Sequence, residues 1–169
     1  MPYFKSENGI IRYAKGIYCW RAVNPSVDQN VFLYVGNAGA RISNNTNATI
    51  NRGVSEARFG GSTISTTKKH HVLDTDFIIG TVISLLERKG WECYWEHLDD
   101  DPSDENEKAM CKKYHPLLQN SSGKILPEFK HKRNPEGWRV QHQSDAVRMK
   151  LKREATMEIE KDLQKLNLL

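Results

Sequence analysis

Two short runs near the start of the chain, Gly16-Ile17-Tyr18-Cys19-Trp20 and Phe32-Leu33-Tyr34-Val35-Gly36, limit the fold more than any other feature. Both are rich in aromatic and β-branched residues. The stretch 24–30 between them supplies the Asn, Pro, Ser and Asp that turns favour, so an antiparallel hairpin is expected. Side chains alternate faces along a strand. Tyr18 then shares a face with Trp20 and Ala22, Tyr34 shares one with Phe32 and Gly36, and pairing can set the two phenols side by side.

The chain of 169 residues suits one domain with an appendage and is long enough to bury a core without staples. Cys19, Cys93 and Cys111 lie far apart with no C-x-x-C spacing, and there is neither a secretory leader nor a long apolar run. A cytoplasmic, reduced protein is therefore expected, with no disulfide, no structural zinc and no membrane span. The net charge of +4 is mild, but its uneven distribution bears on polyanion binding.

Residues 1–15 carry mixed charge and read as a loosely packed leader. Residues 39–67 are dominated by Asn, Thr, Ser and Gly, too polar for a core element, and form a polar insertion; 51–59 has workable helical spacing, but the abundance of Asn and Gly argues for a long loop. Lys68-Lys69-His70-His71 closes it, either as a surface patch or as a phosphate-facing one, with the imidazoles also able to serve as base or metal ligand. Asp74 or Thr75 caps a helix whose Phe77, Ile78, Val82, Leu85 and Leu86 recur at helical spacing up to Gly90. Residues 91–96 alternate bulky and charged side chains and predict a third, half-exposed strand. The acidic run 99–104 opens another helix, which runs to Tyr114 and stops near His115 because Pro116 disfavours helical geometry before it.

Glu107 is the informative residue of that helix. Met110, Cys111 and Tyr114 follow at i+3, i+4 and i+7, so its carboxylate lies on the apolar stripe that faces the sheet. A carboxylate there costs energy unless an arginine, a hydroxyl network or a metal ion pairs with it. The plainer alternative is a helix-end Glu bonded to a Lys or Tyr. Beyond it, Lys130, Lys132, Arg133, Arg139, Lys150, Lys152 and Arg153 are interleaved with Phe129, His131, Trp138 and His142 as a phosphate-tracking strip. Ser144 can cap a final helix with Val147, Leu151, Ala155, Ile159, Leu163 and Leu166 on one stripe, which either docks within the chain or pairs two copies as a homodimer. The fold class expected is α+β, a small three-stranded antiparallel sheet flanked by helices. It occupies 1–123, and a basic extension over 124–169 ends in the amphipathic helix.

Taken together, Gly16-Ile17-Tyr18, Tyr34-Val35-Gly36 and the block from Glu107 through Pro116 to Asn120 resemble the GIY-YIG nuclease family over about residues 16–120. Val35 stands where that family usually has Ile. The resemblance implies a metal-dependent DNA endonuclease with one Mg2+ or Mn2+ ion, restriction-like in cutting both strands of a duplex. It implies that Glu107 holds the metal, that Tyr18 orients or deprotonates the attacking water, and that Tyr34 assists or contacts the phosphate. A tyrosine base needs nearby positive charge or the metal to lower its pKa, which is ordinarily near 10. The family's arginine corresponds to Arg58 across an insertion, or to Arg41 with a shortened loop; either could fork onto phosphate oxygens. Lys68, Lys69, His70, Asn120, Lys130, Lys132, Arg133 and Arg139 are the expected DNA contacts. Two alternatives stay open: a binding module that kept the scaffold and lost catalysis, and a nuclease for RNA or single-stranded DNA using Trp138 and Trp20 as stacking platforms.

Overall fold

A computed structural model describes residues 3–4, 15–38, 75–126, 129 and 145–169. Its elements in chain order are β1 (Tyr3–Phe4), β2 (Gly16–Asn24), β3 (Gln29–Ala38), α1 (Thr75–Arg88), β4 (Glu92–Asp99), α2 (Asp104–Tyr114) and α3 (Asp145–Lys165). The class is α+β. Strand β2 is central, antiparallel to β3 on one side and to β4 on the other, and the full sheet order is β1-β4-β2-β3. The expected loose leader is corrected at Tyr3 and Phe4, which pair in parallel with Tyr94 and Trp95. The outer edge of β4 offers N–H and C=O groups to the solvent side, and an extended segment that reaches it satisfies them.

Two one-residue register shifts set which side chains share a face. Trp20 opposes Tyr34 while Arg21 opposes Phe32, so Leu33 is the extra residue on β3; Ile17 opposes Asp99 while Tyr18 opposes His97, so Leu98 is the extra one on β4. A bulge re-aims the side chains beyond it. Phe32 is therefore not on the Tyr34 face, as strict alternation predicts, but packs against the cluster of Ile17, Cys19, Val35 and Cys111, joined there by Leu98 and Met110. Tyr18, Trp20 and Trp95 occupy the opposite face and are buried.

Helix α2 covers the Ile17 face of the sheet, since Cys111 belongs to the cluster and the Tyr114 ring lies 4.6 Å from that of Phe32. Ser103 caps its start by accepting from the Asn106 N–H at 3.2 Å, and Asp104, Glu105 and Glu107 place negative charge on the first turn, where the helix dipole favours it. It ends as predicted: His115 takes the left-handed conformation at φ 49°, donates its N–H to Cys111 O, and Pro116 follows. The chain then runs along the outer edge of β3. Leu117 and Leu118 donate backbone N–H groups to Phe32 O and Leu33 O, and the buried Gln119 amide both accepts from Val35 N–H and donates to Val35 C=O, each at 2.7 Å. A side-chain amide thus takes the place of a neighbouring strand.

Contacts divide the chain into two compact units, Met1–Ser55 with Gly90–Leu126, and Glu56–Lys89 with Pro127–Leu169. Charge alone puts a boundary at 123; by contacts, α1 groups with α3. In this second unit the apolar face of α1 is buried through Phe77, Ile78, Val82, Leu85 and Leu86, as its spacing predicts. On α3, Ala155, Ile159 and Leu163 are buried, whereas Val147 and Leu166, expected on the same stripe, are 41% and 47% exposed. Lys152 is a correction to the basic strip: it is buried, with its ammonium 5.4 Å from the centre of the Phe77 ring. No helix among the described residues is long and apolar enough to cross a membrane.

Candidate functional site

The hairpin brings the two expected phenols together. Tyr18 and Tyr34 rings lie 6.4 Å apart, and Tyr18 stacks on Trp95 at 6.1 Å with 26° between planes. Glycine makes this possible. Tyr18 pairs with Gly36 across the strands, and a Cβ built on Gly36 would stand 2.5 Å from the Tyr18 Cζ and Oη. The ring therefore lies across β3, with its phenol over the edge strand. Gly16 has a parallel reason: at φ +150° its missing Cβ would collide with the Asp99 carbonyl and crowd the His97 ring. His97, directly opposite Tyr18, has its Nε2 2.8 Å from the Asp100 carboxylate.

Glu107 stands on the other face, at the first turn of α2. Its Oε2 accepts a hydrogen bond from Asn37 Nδ2, and the same Nδ2 reaches Asp104 Oδ1 at 3.3 Å. Burial first, and Asp104 second, raise the Glu107 pKa above its ordinary value, while the Asn37 amide and then Lys108 oppose the rise. Cys111, one turn on, is pushed up to about 12 by burial and by Glu107. The turn after α2 closes over Glu107: a Cβ on Gly123 would stand 3.4 Å from Oε1.

The structure does not bring the two groups together on one face: Tyr18 with Tyr34 lies on one side of the sheet and Glu107 with Asn37 and Asp104 on the other, next to adjacent residues of β3, Gly36 and Asn37. Consecutive residues of a strand face opposite sides and have Cα atoms about 3.8 Å apart. Tyr18 lies over the first, and Glu107 is bonded to the second. Asn120 is exposed, and its side-chain oxygen accepts from Ser122 N–H, Ser122 Oγ and Lys124 N–H, so it shapes the turn that carries Gly123. Arg21 is committed to Glu96 at 2.6 Å. Arg41 and Arg58, the insertion 39–67, Lys68, Lys69, His70, His71, Lys130, Lys132, Arg133, Trp138, Arg139 and His142 lie outside the described residues.

Asn37, Asp104 and Gln119 are not singled out by sequence pattern. Asn37 has one usable signal, its place directly after Tyr34-Val35-Gly36 at the end of a strand, and Asp104 has another, three residues before Glu107 on one helix face. Gln119 has none, because an amide that replaces a strand is defined only by what it touches. Among the described residues no three His, Cys, Asp or Glu side chains converge as a metal cage. Mg2+ asks for less, one or two carboxylates with waters and substrate phosphates completing an octahedron. Glu107 and Asp104, both within reach of one amide, fit that donor set. Comparison of the chain with models of known families, with curated proteins and with solved structures yields no match in any of the three.

Proposed function

We propose that the chain is a metal-dependent endonuclease that hydrolyses phosphodiester bonds in DNA, of the kind its resemblance to the GIY-YIG nucleases implies. The observation that carries this reading is the Gly36–Asn37 step, where the Tyr18 phenol lies over the first residue and the Glu107 carboxylate is bonded to the second. Glu107 would hold Mg2+ or Mn2+, with Asp104 beside it; when bound, the ion neutralises charge developing on the phosphoryl group. Stacking on Trp95 and the contact with Gly36 hold the Tyr18 ring in one orientation, from which its phenol would have to meet a water or phosphate. Tyr34 supplies a second hydroxyl on the same face. The chemistry would also need a guanidinium to fork onto phosphate oxygens, for which the resemblance offers Arg58 first and Arg41 second.

Restriction-like cutting of both strands asks for two copies. Because Ala155, Ile159 and Leu163 are already buried within the chain, a homodimer through α3 would have to use the remaining faces of that helix. The cytoplasm, where magnesium and duplex DNA are both at hand, is the setting this chemistry needs.

A binding module without catalysis is favoured by one observation, the 1% exposure of Tyr18, since a phenol that activates water must meet it. Cleavage of supercoiled plasmid by wild type, Glu107→Ala and Tyr18→Phe, with magnesium and with chelator, followed by end-mapping, separates the two. Discrete metal-dependent cuts lost in Glu107→Ala support the nuclease. Diffuse nicking lost in the same way keeps the chemistry and removes the restriction role. DNA binding with no cutting across several metals assigns the binding module.

A further inference from the structure

We propose that Asn37 is a positioning residue for the cation site: its carboxamide gathers the Glu107 and Asp104 carboxylates at one point in the cation-free protein and releases them to a divalent ion. The inference rests on Glu107 as the metal ligand. A carboxamide nitrogen carries two N–H donors. Here the one Nδ2 serves Glu107 Oε2 and Asp104 Oδ1, at 3.3 Å for the latter. Two carboxylates three residues apart on a helix repel each other, and without a donor between them their side chains would diverge. A neutral amide draws them together without the charge that would make a lysine hard to displace.

The amide is itself well held. Asn37 pairs with Ile17 in the β2–β3 ladder, and two residues earlier Val35 is gripped through both its N–H and C=O by Gln119. The sheet therefore sets where the amide stands, and the amide sets where the helix presents its carboxylates. On the other side of Glu107 the chain turns through Gly123, whose φ of +81° favours glycine. The step from Gly36 to Asn37 thus serves both groups of the site, the first residue by lacking a side chain under Tyr18 and the second by supplying the amide.

The test is Mn2+ binding to the full chain, followed by electron paramagnetic resonance, for wild type, Asn37→Ala, Asn37→Ser and Glu107→Gln. Groups that hold a metal ligand in place typically contribute 10–100-fold to metal affinity, so Asn37→Ala is expected to bind Mn2+ about 10-fold more weakly, with Asn37→Ser, which keeps one donor, in between. Glu107→Gln is expected to lose binding. In a cleavage assay Asn37→Ala should lower kcat and leave KM for DNA unchanged. Affinity in Asn37→Ala within about twofold of wild type, with Glu107→Gln inactive in binding, overturns the role of Asn37 and leaves Glu107 as ligand. Undiminished binding in Glu107→Gln removes the ligand assignment and this inference with it. Should Asn37→Ala fail to fold, the Asn37 side-chain NH2 resonances of wild type decide: they should move on adding Mg2+, and unmoved resonances overturn the proposal.

Discussion

The ring of Tyr18 lies where the side chain of Gly36 would be, with the positions of its Cζ and Oη 2.5 Å from a Cβ built there. Tyr18 is buried between Trp95 and Tyr34 and has little room to retreat. Gly36→Ala is accordingly expected to lose about 1–3 kcal/mol through overpacking, read from the midpoint of urea denaturation at unchanged slope. In a Tyr18→Leu background, where no ring crosses the strand, the same change should cost less, giving a coupling of at least about 0.5 kcal/mol in the double-mutant cycle. Equal costs in both backgrounds would show that the contact does not strain the mutant.

Gln119→Leu removes two buried hydrogen bonds and leaves both backbone groups of Val35 without a partner at the covered edge. The expected cost is about 2–4 kcal/mol, because an orphaned buried donor or acceptor forfeits its full desolvation penalty. Hydrogen exchange gives the local signature: the Val35 amide should exchange far faster in the variant while the β2–β4 amides keep their protection. Uniform loss across the sheet would point to global destabilisation instead.

Glu107 carries a pKa raised by burial and by Asp104. A carboxyl whose folded pKa exceeds its unfolded value favours folding while protonated, and that contribution is lost as pH rises through the folded pKa. Glu107→Gln, permanently neutral, should therefore be at least as stable as wild type at pH 7, with the difference vanishing below the ordinary carboxylate pKa. Thermal melts between about pH 4 and 8 check the sign. On the nuclease reading the same variant makes no metal-dependent cuts, so stability and activity would move in opposite directions.

Lys152→Ala separates the buried lysine from the basic strip. Its stem is buried and its ammonium sits over Phe77. The variant should lose about 1–3 kcal/mol of stability from lost packing. If the chain binds DNA, the slope of log affinity against log salt should not change, because each phosphate contact contributes about 0.9 to that slope and Lys152 makes none. A slope reduced by about one would return Lys152 to the strip.

Local pattern determined much of this protein. Alternating aromatic and β-branched residues around a turn-rich stretch specified the β2–β3 hairpin, the spacing of Phe77, Ile78, Val82, Leu85 and Leu86 specified α1, and Ser103, the acids after it and Pro116 bounded α2. These signals are carried by neighbours in the chain, so they survive without tertiary information. Met110, Cys111 and Tyr114 likewise placed Glu107 on the sheet-facing side of its helix. Only the tertiary structure decided the rest. Two extra residues, Leu33 and Leu98, shift the register and send Phe32 away from Tyr34. Tyr3 and Phe4 became a strand because β4 had an open edge, and Lys152 became core because the α3 stripe turned it onto Phe77. The joining of Asn37 to Glu107 across 70 residues has no local cause. It exists because the sheet and the helix packed on it bring a strand end and a helix start to one place.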